Sequence, residues 1–175
     1  MKIKHIGLVI LLFTIVFSGC KKVEDALEVT FDTTLTKDLN IDVPGDTKSG
    51  VTGTFDESVT IDPNDDANFA EYKEMIKNIE VSEVTGKITS VTNGDFNVSN
   101  LNITVGTAQW TFANVAVTQG ASLTLDNANG QWDTIKSLLN GKEAFTATAT
   151  GTTDKDDVKF TIQIKIKAKV TANPL

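Results

Sequence analysis

The side chains that most often carry catalysis are nearly absent from this chain. It contains one His, at position 5, and one Cys, at position 20, and every basic residue is Lys. Ser-His-Asp and Cys-His sites need an imidazole, and zinc or redox metals are usually held by His or several Cys. The sequence therefore predicts a protein that is not an enzyme and has no cofactor. The alternative is a small carboxylate-based glycan hydrolase, because two of the 23 acidic side chains could form a catalytic pair.

At one place the acidic residues have the spacing of a calcium loop. Asp62, Asn64 and Asp66 supply oxygens at the first, third and fifth positions of an EF-hand-like loop. The match then fails, because the loop lacks the Gly of its sixth position and the Glu of its twelfth. The favoured interpretation is a capping box over residues 68–71 that starts an amphipathic helix reaching Ile79.

Three aromatic residues are candidates for a ligand platform. Trp110, Trp132 and the single Tyr72 could stack on sugar rings. Each also lies on the apolar face of a predicted strand or helix, where aromatic residues usually belong to the core. Both interpretations stay open at this point.

Lysines are concentrated on the last predicted strand, residues 158–170. Apolar residues alternate there with a polar face that carries four lysines: Lys159, Lys165, Lys167 and Lys169. Such a stripe could contact a polyanion, or it could prevent an apolar edge strand from pairing with other molecules. The length of the strand predicts a bend or bulge within it. Nucleic acid is not an expected partner, because the chain has a net charge of −7 and no Arg.

The elements that must position these residues are mainly strands. Alternation with a period of two recurs in about eight segments, and Asn93-Gly94 is predicted to form a β-hairpin. A second short helix is predicted over residues 132–139, ended by Asn140-Gly141. The predicted fold is mainly β, an antiparallel β-sandwich of about eight strands with two short helices. The alternative is an α+β domain with one curved sheet packed on a helix.

The first residues have the layout of an export signal. Lys2, Lys4 and His5 precede an uncharged run from Ile6 to Phe17. A helix of this length would reach only ~18 Å, which is short of the ~30 Å hydrocarbon core of a bilayer. The run therefore predicts a cleaved signal rather than a membrane-spanning helix.

The end of this segment, Phe17-Ser18-Gly19-Cys20, resembles the lipobox of bacterial lipoproteins. The resemblance implies cleavage between Gly19 and Cys20 and attachment of diacylglycerol to the Cys20 sulfur, with further acylation, for which palmitate is a typical chain. More than one acyl chain is needed for stable anchoring. The resulting organisation is a signal peptide over residues 1–19, a lipidated tether over 20–26 and one β-rich domain over 27–175.

The β-rich domain resembles small envelope lipoproteins of unknown function. Within that resemblance, Asp32-Thr33-Thr34 and Asp133-Thr134-Ile135 are similar to a three-residue O-glycosylation signal, which implies Thr33 and Thr134 as acceptors. The implied protein is exported and lipid-anchored to the outer membrane, on its periplasmic side or at the cell surface. We expect a non-enzymatic binding or structural module that contacts the lipid bilayer through Cys20 and an unidentified protein or glycan partner.

Overall fold

The computed structural model describes residues 28–45 and 52–174. These residues form eight strands and two α-helices. The strands are β1 (Val29–Val43), β2 (Gly53–Ile61), β3 (Ile76–Val91), β4 (Phe96–Val105), β5 (Ala108–Val117), β6 (Ser122–Thr124), β7 (Phe145–Thr153) and β8 (Val158–Ala172). The helices are α1 (Ala67–Tyr72) and α2 (Gln131–Gly141). The predicted signal and lipid site, Gly19 and Cys20 included, lie outside the described residues.

The strands form two four-stranded antiparallel sheets that pack as a sandwich. The first sheet has the order β1-β8-β3-β6 and the second has the order β2-β7-β4-β5. Successive strands alternate between the sheets, except that β4 and β5 are paired as neighbours in the second sheet. This order is that of an eight-stranded jelly roll. The predicted antiparallel sandwich is therefore confirmed, and the alternative of one curved sheet on a helix is wrong.

The core lies between the sheets and follows from the alternation of apolar residues along each strand. On β8 every second residue from Val158 to Ala172 is buried. Phe160 on this strand contacts Phe55 and Phe96 of the second sheet edge to face, with ring centroids 5.4 and 5.3 Å apart. These contacts join the two sheets near one end of the sandwich.

The two ends of the sandwich differ in their connections. At one end, which we call the turn end, β3–β4, β5–β6 and β7–β8 are joined by short connections. At the opposite end, the helix end, α1 precedes β3 and α2 precedes β7. Val29 pairs with Ala172 at the helix end, so the described chain both begins and finishes there. At ~3.3 Å per residue the fifteen-residue strands place the turn end about 46 Å away.

The last strand is an inner strand of its sheet. It pairs with β1 on one side and β3 on the other, so the idea that its lysines protect an edge is wrong. Its pairing with β1 is unbroken, and the irregularities fall in its pairing with β3, at 76–78, 81–83 and 88–90. The extra residues lie on β3, so the prediction of a bulge within β8 is wrong.

The Asn93-Gly94 sequence makes a turn that joins the two sheets. Both residues have positive φ, 62° and 77°, as the sequence suggested for a tight turn. The flanking strands do not pair, however, because β3 belongs to the first sheet and β4 to the second. The predicted hairpin is wrong. A hairpin forms instead between β4 and β5 through Gly106-Thr107, where Gly106 has a φ of 58°.

The first helix is shorter than predicted and starts earlier. Asp66 is its N-cap, with Oδ1 accepting from the Phe69 backbone N–H at 2.9 Å, so the predicted capping box is wrong. The helix ends at Tyr72, and a 3₁₀ turn leads into β3. Ile79 therefore lies on a strand, because pairing with β8 replaces the helical hydrogen bonds.

The second helix begins one residue before its predicted start and runs through Gly141. Lys142, with a φ of 59°, adopts the left-handed conformation that ends it and donates its backbone N–H to the Leu139 carbonyl. The predicted end at Asn140-Gly141 is therefore one residue early. Ile135 and Leu139 are buried, so the helix closes the side of the sandwich where β6 is short.

Candidate functional site

A cleft of about 600 Å³ follows the free edge of β5. Its size is within the roughly 300–1,000 Å³ range of small-ligand sites. One wall is the edge strand itself, which pairs only with β4, and the other wall is the connection from β6 to α2. The residues that line it include Gln109, Trp110, Thr111, Phe112, Asp126, Asn129 and Gln131.

Both tryptophans hold the cleft wall in place. Trp110 Nε1 donates to the Asp126 carbonyl at 2.8 Å, and Trp132 Nε1 donates to the neighbouring Leu125 carbonyl at 2.9 Å. Two indoles thus fix consecutive carbonyls of the connection between β6 and α2. Burying the rings while satisfying each N–H gives this segment a defined position.

Gln131 ties the same wall to the edge strand. It is 8% exposed, and its Oε1 accepts from the Asn129 backbone N–H at 2.8 Å. Its Nε2 donates to the Gln109 carbonyl at 3.4 Å. Asn127 adds a further bond, since its Oδ1 accepts from the Trp132 backbone N–H at 2.8 Å. The wall is therefore bonded by side chains at several points, and the cleft is preformed.

The cleft lining is polar and almost uncharged. Among residues 28–45 and 52–174, Asp126 is the one carboxylate that lines it, and no lysine does. Gln109, Thr111 and Asn129 are exposed and offer neutral donors and acceptors, while Phe112 is a half-buried aromatic surface. A glycosidase needs two carboxylates on opposite sides of the scissile bond. The described lining supplies hydrogen bonding and one apolar contact surface.

The outward side chains of the second sheet continue this chemistry, and we call this surface the hydroxyl face. Its positions on β7 and β2 are Thr146, Thr148, Thr150, Thr152, Thr54, Asp56, Ser58 and Thr60. On β4 and β5 they are Asn97, Ser99, Asn100, Asn102, Thr104, Gln109, Thr111, Ala113, Asn114 and Ala116. Asp56 is the only charged residue among them. Gln109 and Thr111 belong to both the face and the cleft, so the two surfaces are continuous.

The outward side of the first sheet, which we call the charged face, has a different composition. Lys167 contacts Glu83 at 2.8 Å and Lys159 contacts Asp42 at 2.5 Å. The contact with Asp42 raises the pKa of Lys159, mainly through the side-chain hydrogen bond. The lysine stripe lies between acidic residues of β1 and β3, which compete for its charge. This arrangement does not favour a polyanion ligand.

The three aromatic residues of the predicted platform do not form one surface. Trp110 is 5% exposed, and its ring belongs to the core that supports the cleft. Trp132 lines a separate cleft of about 300 Å³ beside Asp133 and Lys136. Tyr72 packs against Phe31, with ring centroids 5.6 Å apart. The three residues therefore lie at separate places, and contact of any one of them with a ligand remains a prediction.

The carboxylates of the suspected calcium loop are used locally. Asp62 Oδ1 accepts from the Asn64 backbone N–H at 2.8 Å and from its Nδ2 at 2.7 Å, and these bonds lower the pKa of Asp62. Asp65 pairs with Lys37 at 2.7 Å, while Asp66 caps α1. Among residues 28–45 and 52–174, no group of three or more His, Cys, Asp or Glu is placed to hold a metal ion.

The two suspected glycosylation sites differ in accessibility. Thr33 is 1% exposed and its Oγ1 is buried without a hydrogen-bond partner, so the folded domain cannot present it to an enzyme. The expectation for Thr33 is therefore wrong for the folded protein. Thr134 is half-buried on α2 at the cleft rim, and its modification remains a prediction.

The cleaved signal predicted at the start of the chain lies outside the described residues. In the part of the chain that the structure does describe, none of the helices has the length and apolar character needed to cross a bilayer. The lipidation of Cys20 remains a prediction.

The sequence reasoning missed the polar residues of the cleft and the hydroxyl face. A compositional signal was present, because no charged residue occurs from Phe96 through Leu125 although 22% of the chain is charged. A second uncharged stretch, Ala144–Thr153, carries the β7 threonines. The stretches pair side by side in the second sheet and make its outer surface neutral.

No family model matches the chain, and no curated protein sequence matches it. Among solved structures, the crystal structure of the decameric BFDV capsid protein is similar to it, with a TM-score of 0.46 and 14% sequence identity. The similarity covers 83% of this chain and 99% of that chain. At this score and identity the likeness carries no argument about function or assembly.

Proposed function

We propose that this protein is a lipid-anchored envelope lipoprotein that acts as a non-enzymatic binding module. The observation that carries the binding role is the preformed cleft beside β5, with its bonded wall and neutral polar lining. A site that is rigid before binding loses little conformational freedom when a ligand enters it. The partner is a protein or a glycan at the outer membrane, on either side of it.

The proposed anchor is supported by the residues at the start of the chain. Lys2 and Lys4, an uncharged run and Ser18-Gly19-Cys20 follow one another in the order of a lipoprotein signal. Residues 20–26 would span at most about 25 Å, so a lipid on Cys20 would hold the helix end of the domain near the headgroups. The cleft would lie on the side of the sandwich opposite β1, the strand nearest the tether.

Metabolic labelling with a palmitate analogue tests the anchor. Wild-type protein should be labelled and should fractionate with membranes, and Cys20→Ala should do neither. Lys22→Ala, a change in the adjoining tether, is the control and should behave like the wild type. Equal labelling of wild type and Cys20→Ala would contradict the proposed anchor.

The hydrolase alternative is tested separately. Binding without hydrolysis is favoured because Asp126 is the one carboxylate that lines the cleft. Purified protein incubated with polysaccharides should therefore release no reducing ends. Release that disappears in Asp126→Asn would instead establish the hydrolase.

A further inference from the structure

We propose that the cleft and the hydroxyl face form one continuous binding track for an uncharged polysaccharide chain. This inference rests on the proposed role as a binding module and names its ligand class. The track begins in the cleft and continues over Gln109 and Thr111, which line the cleft and also point outward from β5. From there it crosses β4 and β7 of the second sheet.

The small number of charged residues along this track favours a neutral ligand. The outward positions of the second sheet carry one charged residue, Asp56, and the cleft lining carries one, Asp126. A polyanion would find no lysine there to replace its counterions, and a polycation would find only two separated carboxylates. A neutral ligand needs no such compensation when it loses water.

The side chains also favour a hydroxyl-rich ligand over a protein surface. Protein interfaces usually contain buried aromatic or large apolar anchors at their centre. The outward positions of the second sheet are Thr, Ser, Asn and Gln with Asp56, Ala113 and Ala116, and they include no aromatic or large aliphatic residue. Each hydroxyl or amide both donates and accepts, which is what a sugar hydroxyl also does.

The spacing of these groups suits a repeating chain. Thr146, Thr148, Thr150 and Thr152 follow one another on β7, which at ~6.6 Å per step spans about 20 Å. Neighbouring strands add polar groups at ~4.8 Å intervals, for example Thr104 and Ser58 on either side of Thr148. Successive sugar units can therefore meet equivalent hydrogen-bonding groups along the surface.

The cleft supplies the stronger contacts at the end of the track. The half-buried ring of Phe112 can contact the apolar face of a sugar, and the Asp126 carboxylate can accept from two of its hydroxyls. The exposed side chain of Asn129 lies on the opposite wall. The indole and Gln131 bonds hold this wall before the ligand arrives, so the cleft needs little reorganisation.

Affinity electrophoresis of the detergent-solubilised full-length protein tests the proposal. The gels contain a neutral polysaccharide (β-glucan, galactomannan, xyloglucan or dextran) or an anionic one (hyaluronan or heparin). We expect retardation by at least one neutral polysaccharide and by neither anionic polymer. Retardation by no neutral polymer, or equal retardation by the anionic polymers, overturns the proposal.

Matched lysine substitutions locate the track. Thr148→Lys on the hydroxyl face should weaken retardation at least fivefold, whereas Thr34→Lys on the exposed charged face should stay within twofold of the wild type. Thr111→Lys, at the exposed edge, replaces Thr148→Lys if the latter has a lowered melting temperature. If Thr148→Lys and Thr34→Lys bind the neutral polysaccharide with equal affinity, the assignment of the track to the hydroxyl face is overturned.

The palmitate experiment separates this inference from the proposed function. If Cys20→Ala abolishes labelling but no neutral polysaccharide retards the wild-type protein, the anchor is supported and the binding track is refuted. If a neutral polysaccharide retards the wild-type protein but the palmitate analogue never labels it, the binding track is supported and the anchor is refuted.

Discussion

The two outer faces of the sandwich are built on the same strand geometry and differ in whether their side chains satisfy one another. On the charged face, Gln163 donates to Asp38 at 3.0 Å and Lys167 pairs with Glu83. On the hydroxyl face, Thr111 Oγ1 donates to Asn102 Oδ1 at the long distance of 3.4 Å, and Asn97 at one end of the face donates to Asp154 at 2.8 Å. The outward threonines of β7 between them have no side-chain partner among the bonds of the described residues. Groups that pair across strands are less available to a ligand. The comparison therefore points to the hydroxyl face as the surface for recognition.

The ion pairs of the charged face contribute little to holding the fold together. Lys167 and Glu83 are each 43% exposed, and exposed pairs typically stabilise a protein by about 0–1 kcal/mol. The strands of both sheets turn their apolar side chains into the common core. Burial in this core should therefore dominate the free energy of unfolding, and the two outer faces should differ in ligand binding and in their response to salt.

The largest expected effect comes from truncating the interior side of β8. Ile164 is 0% exposed, and Ile164→Ala should lower the free energy of unfolding by about 2–5 kcal/mol, because it removes buried methyl groups and leaves a cavity. Lys165→Ala, the next residue on the charged face, should stay within about ±0.5 kcal/mol. Urea denaturation measures both. Equal effects would show that β8 does not divide core from surface.

This division of β8 could be predicted because it depends on local alternation alone. Any register that buried Val158 would also bury Ile164 and Val170, so the strand and the sandwich class follow from the sequence. The jelly-roll order could not be predicted in this way. It depends on which distant strands pair. Asn93-Gly94 illustrates this, because it forms the predicted tight turn although β3 and β4 belong to different sheets.

The cleft could not be predicted because contacts between distant residues define it. Gln131 reaches back to Gln109, and the two indoles bond to a segment that only the packing of α2 brings near them. The sequence could identify Trp110 and Trp132 as important. It could not distinguish rings that support a wall from rings that contact a ligand.

Introducing one glutamate on each face should distinguish the two faces directly. Lys167→Glu places two carboxylates together at Glu83 and should destabilise the protein by about 1 kcal/mol at low salt. Thr148→Glu faces Ser58 and Thr104, and should change stability by no more than about 0.5 kcal/mol.

Salt provides the control for this pair of variants. At about 1 M NaCl, where the Debye length is ~3 Å, the cost of Lys167→Glu should shrink, while that of Thr148→Glu should stay constant. Urea denaturation at low and high salt measures both. A larger cost for Thr148→Glu, or a cost of Lys167→Glu that ignores salt, would contradict the contrast between the faces.

An effect no larger than that of Lys167→Glu is expected where the chain passes from the hydroxyl face to the charged face. Asp154 follows β7 and holds β4, since its two carboxylate oxygens accept from the side-chain and backbone N–H groups of Asn97, each at 2.8 Å. The side-chain bond and then the backbone bond lower the pKa of Asp154 below 3.8. Because the folded pKa lies below the unfolded one, its stabilisation is complete above pH 3.8 and is lost as the pH falls through the folded value.

Asp154→Asn should therefore cost no more than about 1 kcal/mol at pH 7, because the carboxylate is exposed. The difference between variant and wild type should shrink as the pH falls through the lowered pKa of Asp154 in the folded protein, because the wild-type carboxylate then also becomes neutral. Asp95→Asn, at an exposed carboxylate in the adjacent turn, is the control and should change stability little at either pH. Urea denaturation between pH 7 and pH 3 follows all three proteins. If the cost of Asp154→Asn grew on acidification, the ionised Asp154 carboxylate would not be the form that stabilises the fold through its hydrogen bonds with Asn97.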